Sequence, residues 1–225
     1  MDYVFLSRTI LFRGMSPEEV QTMLSCLSAQ TRSFQRGATI YHAGDTASSM
    51  GLVLCGSVSI ENNDVWGNKS ILDKVGPGQV FAETYACVPG EPLMISVVAA
   101  ETTEVLFLDM TRVLQVCSNA CGFHTKLIRN LLAISSQKNL RLSRRIFHTS
   151  SKSIRGRLLS YLSFQATQHG RCDFTIPFNR QQLADYLSVD RSAMSNELSK
   201  MQRDGLVQVD RNHFILTGIE PEDAF

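Results

Sequence analysis

One stretch, residues 179–206, constrains the fold of this 225-residue chain more than any other. Its apolar residues recur at helical spacing in two groups, and the polar turn Ser188-Val189-Asp190 separates these groups. The pattern predicts two helices around a tight turn, with Asp190 as the N-cap of the second helix and Gly205 at its end. The inward-facing positions are expected to be Leu183, Ala184, Leu187, Met194, Leu198 and Met201.

The outer face of the second helix consists of short or basic hydrogen-bonding side chains: Arg191, Ser192, Ser195, Asn196 and Lys200. Two short strands are predicted after it, at 206–209 and 213–216, as in the wing of a winged helix-turn-helix. Donors and acceptors on such a helix suit the major groove of DNA, where base edges offer the complementary groups. Two ordinary core-packing helices are the alternative that apolar spacing alone leaves open.

The rest of the chain divides by the period of its apolar residues. Short helices are expected within residues 1–30, where Ser16-Pro17-Glu18-Glu19 has the composition of a helix start. From 34 to 109 the period changes to two and turn residues interrupt it, which is typical of an antiparallel roll or barrel. The expected strands are 39–42, 50–55, 57–60, 69–75, 95–99 and 104–109.

Helical period returns from 111 to about 147, and this helix carries a second seam. The seam residues are spaced four and three apart with a polar middle, as in a coiled coil: Ile128, Leu132, Ser135, Asn139, Leu142 and Ile146. We therefore expect a homodimer through this helix. Residues 148–153, beginning at His148, are expected to form a polar hinge before a helix at 154–165 and a strand at 173–176.

The net charge of +1 hides a strong asymmetry along the chain. Residues 1–109 carry 6 Lys and Arg against 12 Asp and Glu, whereas residues 110–172 carry 11 basic residues and no acidic one. Residues 173–225 carry 5 basic and 9 acidic residues. A solvated helix face could explain the basic span. We favour a surface that meets phosphate, with part of it as dimer-helix surface, because the span leads into the predicted helix-turn-helix.

Several functional classes find no support in the sequence. No apolar run approaches the ~20 residues of a membrane span, and the N-terminus is too polar for a signal peptide. The six scattered cysteines form no disulfide framework, so a reducing cytoplasm is expected. A cupin-type metal enzyme is disfavoured because the strand region holds only one histidine, His42. We expect no enzyme activity, no cofactor and no membrane partner.

The order of these parts resembles the Crp/Fnr family of bacterial transcription regulators along essentially the whole chain. The matching landmarks of the roll are Gly44-Asp45, LVLCGSV at 52–58 and GQVFAE at 78–83. The resemblance implies an α+β fold in three parts. These are an effector-sensing antiparallel β-roll at 1–120, a dimerisation helix at 121–148 and a winged helix-turn-helix at 149–225. It also implies a homodimer on a palindromic double-stranded DNA operator, with RNA polymerase and an unknown small effector as further partners.

The resemblance places an effector pocket in the roll and on the long helix, at Glu83, Thr84, Met94, Ile95, Leu142 and Ser143. Glu83 matches the family residue that holds the ribose of cyclic AMP, or it accepts backbone hydrogen bonds in its turn. Met94 and Ile95 stand where an Arg-Ser pair holds the cyclic phosphate, and a thioether cannot replace that charged contact. Cyclic AMP is therefore not the expected effector. The altered pocket favours a small apolar or aromatic ligand, or none.

In the second helix of the motif, well-known family members carry Arg, Glu and Arg, where this chain has Arg191, Ser192 and Asn196. Arg191 can pair with guanine and Asn196 with adenine, so a different operator is expected. The other expected DNA contacts are Arg180, Gln181, Ser195 and Lys200. A phosphate-only role for Arg191 is an alternative, as is a ligand-binding regulatory module without DNA function.

Cysteine and histidine positions bear on whether the protein senses through a metal centre or a redox-active thiol. Residues 1–25 contain no cysteine, which argues against the iron–sulfur cluster of the oxygen-sensing family members. Cys117, Cys121 and His124 would share one face of a helix, so a haem- or thiol-based redox sensor is the alternative to an organic-ligand sensor. No fourth ligand is evident, and free cysteine often serves as a small buried apolar residue.

Overall fold

The computed structural model describes residues 1–63, 69–115 and 122–217. The chain divides into two compact units, Met1–Gln137 and Lys138–Phe225. The first unit contains two antiparallel sheets and the N-terminal helices, and the second contains the predicted helix-turn-helix. None of the described helices combines the length and the apolar surface that a bilayer crossing requires.

Two short helices open the first unit, as the helix-start pattern predicts. Helix α1 spans Tyr3–Arg8, and the carboxylate of Asp2 caps its first turn. Helix α2 spans Pro17–Cys26, and Ser16 and Glu19 form a reciprocal capping box at its start. One face of α2 enters the core of the unit through Val20, Met23 and Leu24.

The described part of the first unit contains eight strands. They are β1 (Gln30–Phe34), β2 (Thr39–Tyr41), β3 (Ser49–Cys55), β4 (Val58–Asn63), β5 (Lys69–Val75), β6 (Val80–Phe81), β7 (Ser96–Ala99) and β8 (Thr103–Asp109). They form two four-stranded sheets with the orders β1-β8-β3-β6 and β2-β7-β4-β5, and every pairing is antiparallel. Six strands confirm the sequence prediction to within three residues, whereas β1 and β6 were not predicted.

Apolar side chains from both sheets fill the interior of the roll. The buried members are Val53, Val58, Val75, Phe81, Val97 and Val105. Gly51 makes room for the largest of them, because a Cβ added at Gly51 would overlap the Phe81 ring. Tyr41 lies edge-on to both Phe81 and Phe107, with ring centroids 6.4 Å and 6.2 Å away. The interior is therefore closely packed with rings around a glycine backbone.

Three more helices follow along the chain: α3 (Glu83–Ala86), α4 (Met110–Leu114) and α5 (Gly122–Thr149). The 28-residue α5 buries Leu127 and Leu131 in the same core as α1 and α2. Lys126 also anchors it, because its Nζ donates to the Gly14 carbonyl at 2.9 Å. The expected dimer seam is on another part of the helix surface. Ile128 and Ser135 are half-buried there, and the exposed seam residues are Leu132, Asn139, Leu142 and Ile146.

The second unit contains α6 (Ile154–His169), β9 (Asp173–Thr175), α7 (Arg180–Leu187), α8 (Arg191–Arg203), β10 (Val207–Asp210) and β11 (His213–Leu216). The three strands described in this unit, up to residue 217, form an antiparallel sheet in the order β10-β11-β9. All six elements were predicted, and the six residues expected to face inward are buried in its core. Local caps explain the sharp helix starts: Ser153 for α6, Asn179 for α7 and Asp190 for α8.

The expected polar hinge is wrong at its first residue, His148. Helix α5 runs one residue beyond it, and His148 is only 1% exposed. Its ring packs against those of Tyr161 and Phe164 on α6 and of Tyr186 on α7. Its Nδ1 lies 3.1 Å from Ser160 Oγ. Rings distant in sequence therefore bury a residue that the local pattern marks as polar.

Candidate nucleic-acid interface

Helix α8 has a buried inner face and an exposed outer face. Met194, Leu198 and Met201 pack into the core of the second unit. On the outer side Ser195 is half-buried, and the exposed residues are Arg191, Ser192, Asn196 and Lys200. The structure thus brings together the five side chains of α8 that the sequence predicted to face DNA.

Hydrogen bonds at the start of α8 fix the role that its two serines can play. Asp190 accepts the Ala193 N–H at 2.9 Å and the Ser192 hydroxyl at 2.5 Å. These bonds, the serine bond first, hold the pKa of Asp190 below its usual range. The Ser195 hydroxyl donates to the Arg191 carbonyl at 2.9 Å. Both hydroxyl protons are therefore used internally, and the serines offer DNA only acceptor lone pairs.

A cleft of about 690 Å³ opens beside the N-termini of α7 and α8 and the wing turn. It is lined by Pro177, Asn179, Arg180, Gln181, Gln182, Arg191, Arg211 and Asn212. Three of these residues carry guanidinium groups and none carries a carboxylate. Cationic forks and helix N-termini are favourable places for an anion such as a DNA phosphate.

Arg180 is the most enclosed of the three arginines in this cleft. Its guanidinium carbon lies 5.5 Å from the centroid of the Phe214 ring. Its Nη1 is buried and has no hydrogen-bond partner within the described ranges. Burial lowers the pKa of Arg180, although a guanidinium stays charged at neutral pH. An arginine that lines a cleft without carboxylates is a favourable partner for an anion.

Sequence reasoning did not single out Arg211 and Asn212 as part of the interface. They form the turn between β10 and β11, and the backbone of Arg211 is left-handed with φ +53°. Asn212 Nδ2 donates to the Ile176 carbonyl at 3.0 Å, which anchors the turn. The exposed Arg211 side chain thus lines the same cleft as Arg180. The sequence signal that could have indicated this role is a basic residue, Arg211, between two predicted strands.

Salt bridges tie α8 to α6 along another edge. Arg155 Nε donates to Glu197 Oε1 at 2.6 Å, and Arg155 Nη2 lies 2.7 Å from Asp204 Oδ2. The bond from Arg155 is the main reason that the pKa of Glu197 is lowered. Lys200 Nζ lies 3.7 Å from the same Glu197 carboxylate. Lys200 is therefore already paired within α8, and a contact with DNA phosphate would compete with this ion pair.

Much of the basic span 110–172 is engaged inside the protein. Five of its basic residues donate to carbonyls, hydroxyls or carboxylates of their own unit: Arg112, Lys126, Arg145, Arg155 and Arg157. Lys126, Arg145 and Arg157 donate to backbone carbonyls. A count of charged residues along the sequence cannot reveal such acceptors. These residues of the span are therefore used within the protein, and the phosphate-contacting surface expected from the charge count stays a prediction for the remaining basic residues.

The residues expected in the effector pocket differ in burial. Glu83 is buried at the start of α3, directly after Ala82, whose φ is +58°. Ile95 is half-buried against the roll interior, whereas Thr84 is exposed. Met94 is 77% exposed, so its thioether is open to solvent in the single chain. In the second unit, the exposed residues of α5 include the other two expected members, Leu142 and Ser143.

The cysteine pair considered for metal or redox chemistry, Cys117 and Cys121, lies outside the described residues. His124, their expected neighbour, is buried in α5. Within the described residues, no group of three or more His, Cys, Asp and Glu side chains is placed to hold a metal ion.

Two family models match the chain. Residues 31–120 match a cyclic nucleotide-binding domain, and residues 156–220 match a Crp-like helix-turn-helix domain. The chain belongs to the Crp/Fnr family of transcription regulators. Crp-like helix-turn-helix regulators bind DNA and are typically dimeric, and the exposed face of α8 lies within the matched DNA-binding domain.

Relatives of this Crp/Fnr regulator match part or nearly all of it. The cyclic AMP receptor protein of Thermus thermophilus is 37% identical over 98 residues, which is 44% of each chain. A CRP-like cAMP-activated global transcriptional regulator of Mycobacterium tuberculosis is 20% identical over 216 residues, covering 96% of this chain and 95% of the relative. The crystal structure of the T. thermophilus catabolite activator protein matches with a TM-score of 0.53 at 25% identity, over 92% and 93% of the two chains.

Proposed function

We propose that this Crp/Fnr regulator is a cytoplasmic homodimer that reads a palindromic DNA operator with α8 and responds to a small effector other than cyclic AMP. The β-roll at 1–120 would sense the effector, the helix at 121–148 would form the dimer, and residues 149–225 would bind DNA. RNA polymerase would be the further partner of the DNA-bound protein. The exposed polar face of α8 over a buried apolar face carries this proposal.

Arg191 and Asn196 are the proposed base readers. Their long exposed side chains can make bidentate contacts with guanine and adenine, respectively. Ser192 and Ser195 are shorter, and their protons are committed inside the protein. They therefore suit acceptor contacts with amino groups of flanking bases. Arg180, Gln181 and the wing residue Arg211 line the carboxylate-free cleft and are proposed to contact phosphate.

The homodimer is proposed to form through the seam of α5. Leu132, Leu142 and Ile146 leave large apolar surfaces uncovered in the single chain. A solvated helix would be expected to carry polar groups at these positions, and burial against a second copy would remove this apolar area from water. Asn139 in the middle of the seam would set the register of the pair.

The effector is proposed to differ from cyclic AMP because no basic side chain occupies positions 93–96. The nucleotide's phosphate would then lack the charged partner that a guanidinium supplies. The names of the relatives refer to cyclic AMP, so this proposal separates the present chain from them in ligand class. A small apolar or aromatic effector fits the Met94 and Ile95 side chains better. A haem- or thiol-based sensor is the second candidate, because Cys117, Cys121 and His124 are spaced to share one face of a helix.

The deciding experiment is selection of operators from a library of randomised half-sites. Wild type is compared with Arg191→Ala, Asn196→Ala and the control Arg203→Ala, which removes a charge from the last turn of the same helix. We expect a palindrome with half-sites about one helical turn apart. Each reader variant should lose preference at its own base pair, at a cost of about 1–3 kcal/mol.

The outcome distinguishes base readout from phosphate contact. If both reader variants keep the wild-type sequence preference and only bind more weakly, Arg191 and Asn196 contact phosphate and the assignment is wrong. A wild-type protein that enriches no sequence, and shows no salt-dependent gel shift, would instead support a regulatory module without DNA function.

A further inference from the structure

Arginines from two other helices hold the C-terminal end of α7. An α-helix leaves its last four carbonyls without partners of its own. Here Arg145 donates to the carbonyl of Asp185 through Nη2 at 2.9 Å and to that of Tyr186 through Nε at 3.0 Å. Arg157 Nη1 donates to the next two carbonyls, at 3.0 Å and 2.9 Å. Four consecutive carbonyls therefore have guanidinium donors.

The charges of these arginines match the helix that they contact. The C-terminus of a helix carries partial negative charge, and nearby cations stabilise it. Helix α7 has no basic residue in its own last turn. The compensating charge comes from α5 through Arg145 and from α6 through Arg157. Neither interaction requires a particular side chain on α7, because the acceptors are main-chain atoms.

The end of α5 that presents Arg145 is itself docked. The Arg145 guanidinium carbon lies 5.9 Å from the centroid of the Tyr186 ring, so the residue contacts both the ring and the backbone of α7. Three residues later, the His148 ring is buried among aromatic rings, and its Nδ1 lies 3.1 Å from Ser160 Oγ of α6. The end of α5 at 138–149, which belongs to the second unit, is thus a fixed part of the packing of that unit.

The corner between α5 and α6 is braced as well. Arg157 Nε donates to the Ser151 carbonyl at 2.8 Å, so one guanidinium holds both the corner and the end of α7. The Ser153 hydroxyl accepts the Gly156 N–H at 3.0 Å. A Cβ on Gly156 would overlap Ser151 Oγ, which shows how closely the corner packs on α6. Movement of this corner would therefore disturb the contact with α7.

The segment that these arginines hold lies immediately before α8, the helix proposed to read DNA. Ser188 ends α7 in a left-handed conformation with φ +55°, and the Val189 N–H bonds back to the Ala184 carbonyl at 3.0 Å. Asp190 then caps α8. We infer that Arg145 is a positioning residue for DNA recognition, through which the end of α5 fixes the turn between α7 and α8. The inference rests on the proposed function, and it assigns Arg145 to backbone carbonyls of the protein, away from phosphate.

The first test compares Arg145→Gln and Arg145→Lys with the control Arg141→Gln, which removes an exposed arginine about one turn earlier on α5. Affinity for the selected operator and for random-sequence DNA is measured as a function of salt, below the melting temperature of every variant. Arg145→Gln should weaken operator binding about tenfold while its binding to random DNA matches that of the control. Lysine keeps the charge without the planar fork, so Arg145→Lys should recover only part of the loss.

Two results would overturn the inference in this assay. Equal weakening on operator and random DNA, with the salt slope reduced by about one, would make Arg145 a phosphate contact. Operator binding by Arg145→Gln as strong as that of the Arg141→Gln control would show that the contact with the α7 carbonyls does not position α8 on DNA.

The second test needs no DNA. Hydrogen exchange of the Ser188 and Val189 amides is followed in the free full-length protein, because both N–H groups bond back to carbonyls of α7. Arg145→Gln should speed their exchange, whereas Arg141→Gln should leave it at the wild-type rate. Unchanged exchange in Arg145→Gln would contradict the inference whatever happens to operator binding. If wild type selects no operator, the proposed function fails, and the exchange result still decides whether Arg145 holds the turn.

Discussion

Leu142 and Ile146 lie about one turn apart on α5, and they are 61% and 68% exposed in the single chain. Both belong to the predicted seam, as does Leu132. We expect Leu132→Asp combined with Leu142→Asp to give monomers in light scattering and to abolish specific DNA binding, because four buried carboxylates per dimer cannot be paired there. Leu140→Asp is the matched control, since Leu140 is also exposed on α5 but lies outside the seam. A dimer that survives the double change would place the interface elsewhere.

Cyclic AMP should fail to bind the β-roll. Calorimetry at about millimolar nucleotide, where a weak site would still respond, is expected to show no saturable heat. The reason is the uncharged Met94-Ile95 pair in place of the residues that hold the cyclic phosphate. A variant with Met94→Arg and Ile95→Ser, tested beside wild type, measures how much of the deficit these two residues explain. Micromolar binding by the wild-type protein would refute the prediction.

The stability of the protein should depend on pH through His148. Burial first, and the charge of Arg144 second, lower the pKa of this imidazole in the folded state. The unfolded chain, with an ordinary pKa of about 6.5, takes up the proton more readily. The contribution of His148 to the free energy of unfolding is therefore complete above about pH 6.5 and is lost as the pH falls through the lowered pKa.

Urea unfolding followed by circular dichroism at about pH 7.5 and about pH 5.5 tests this. His148→Phe should flatten the pH dependence, because phenylalanine fills the aromatic site without titrating. His42→Gln, at an exposed position of the first unit, serves as the control and should leave the dependence intact. An unchanged slope in His148→Phe would exclude His148 as its source.

Gly51→Ala should destabilise the β-roll by about 1–3 kcal/mol, because its Cβ would overlap the Phe81 ring and the packed interior has little room to relax. Gly76→Ala is the matched control: no atom lies closer than 4.0 Å to its added Cβ, and its φ is not positive. Adding Phe81→Leu to Gly51→Ala should recover part of the loss in thermal unfolding. Equal melting temperatures for the two alanine variants would contradict the packing argument.

The DNA-binding half could be predicted in detail because its signals are local. The Asp190 cap, the glycine at 205 and the apolar period fix the bounds of α8 within a few residues of sequence. The two missed strands lack such signals. Strand β1, Gln30–Phe34, is almost wholly exposed and shows no alternation of buried and exposed residues, and β6 has only two residues. Both segments are extended because they pair with strands distant in sequence, β1 with β8 and β6 with β3.

The internal roles of His148 and Arg145 could not be predicted from local pattern either. Burial of His148 depends on rings from α6 and α7 that only the tertiary fold brings together. The acceptors of Arg145 are backbone carbonyls, which every residue possesses, so no letter in the sequence marks them. The charge count along 110–172 therefore includes arginines whose guanidinium donors bond within the protein.

The absence of a side chain at position 51 has a consequence for sensing. Phe81 lies across that bare backbone, and the chain then passes through Ala82, in a left-handed conformation, to the buried Glu83. A molecule that displaces Glu83 must also pull on a ring that has almost no free volume around it. Close-packed interiors respond to such a pull by switching between discrete arrangements. Because only Ala82 separates the ring from the buried carboxylate, the Phe81 ring would register a small displacement of Glu83 directly.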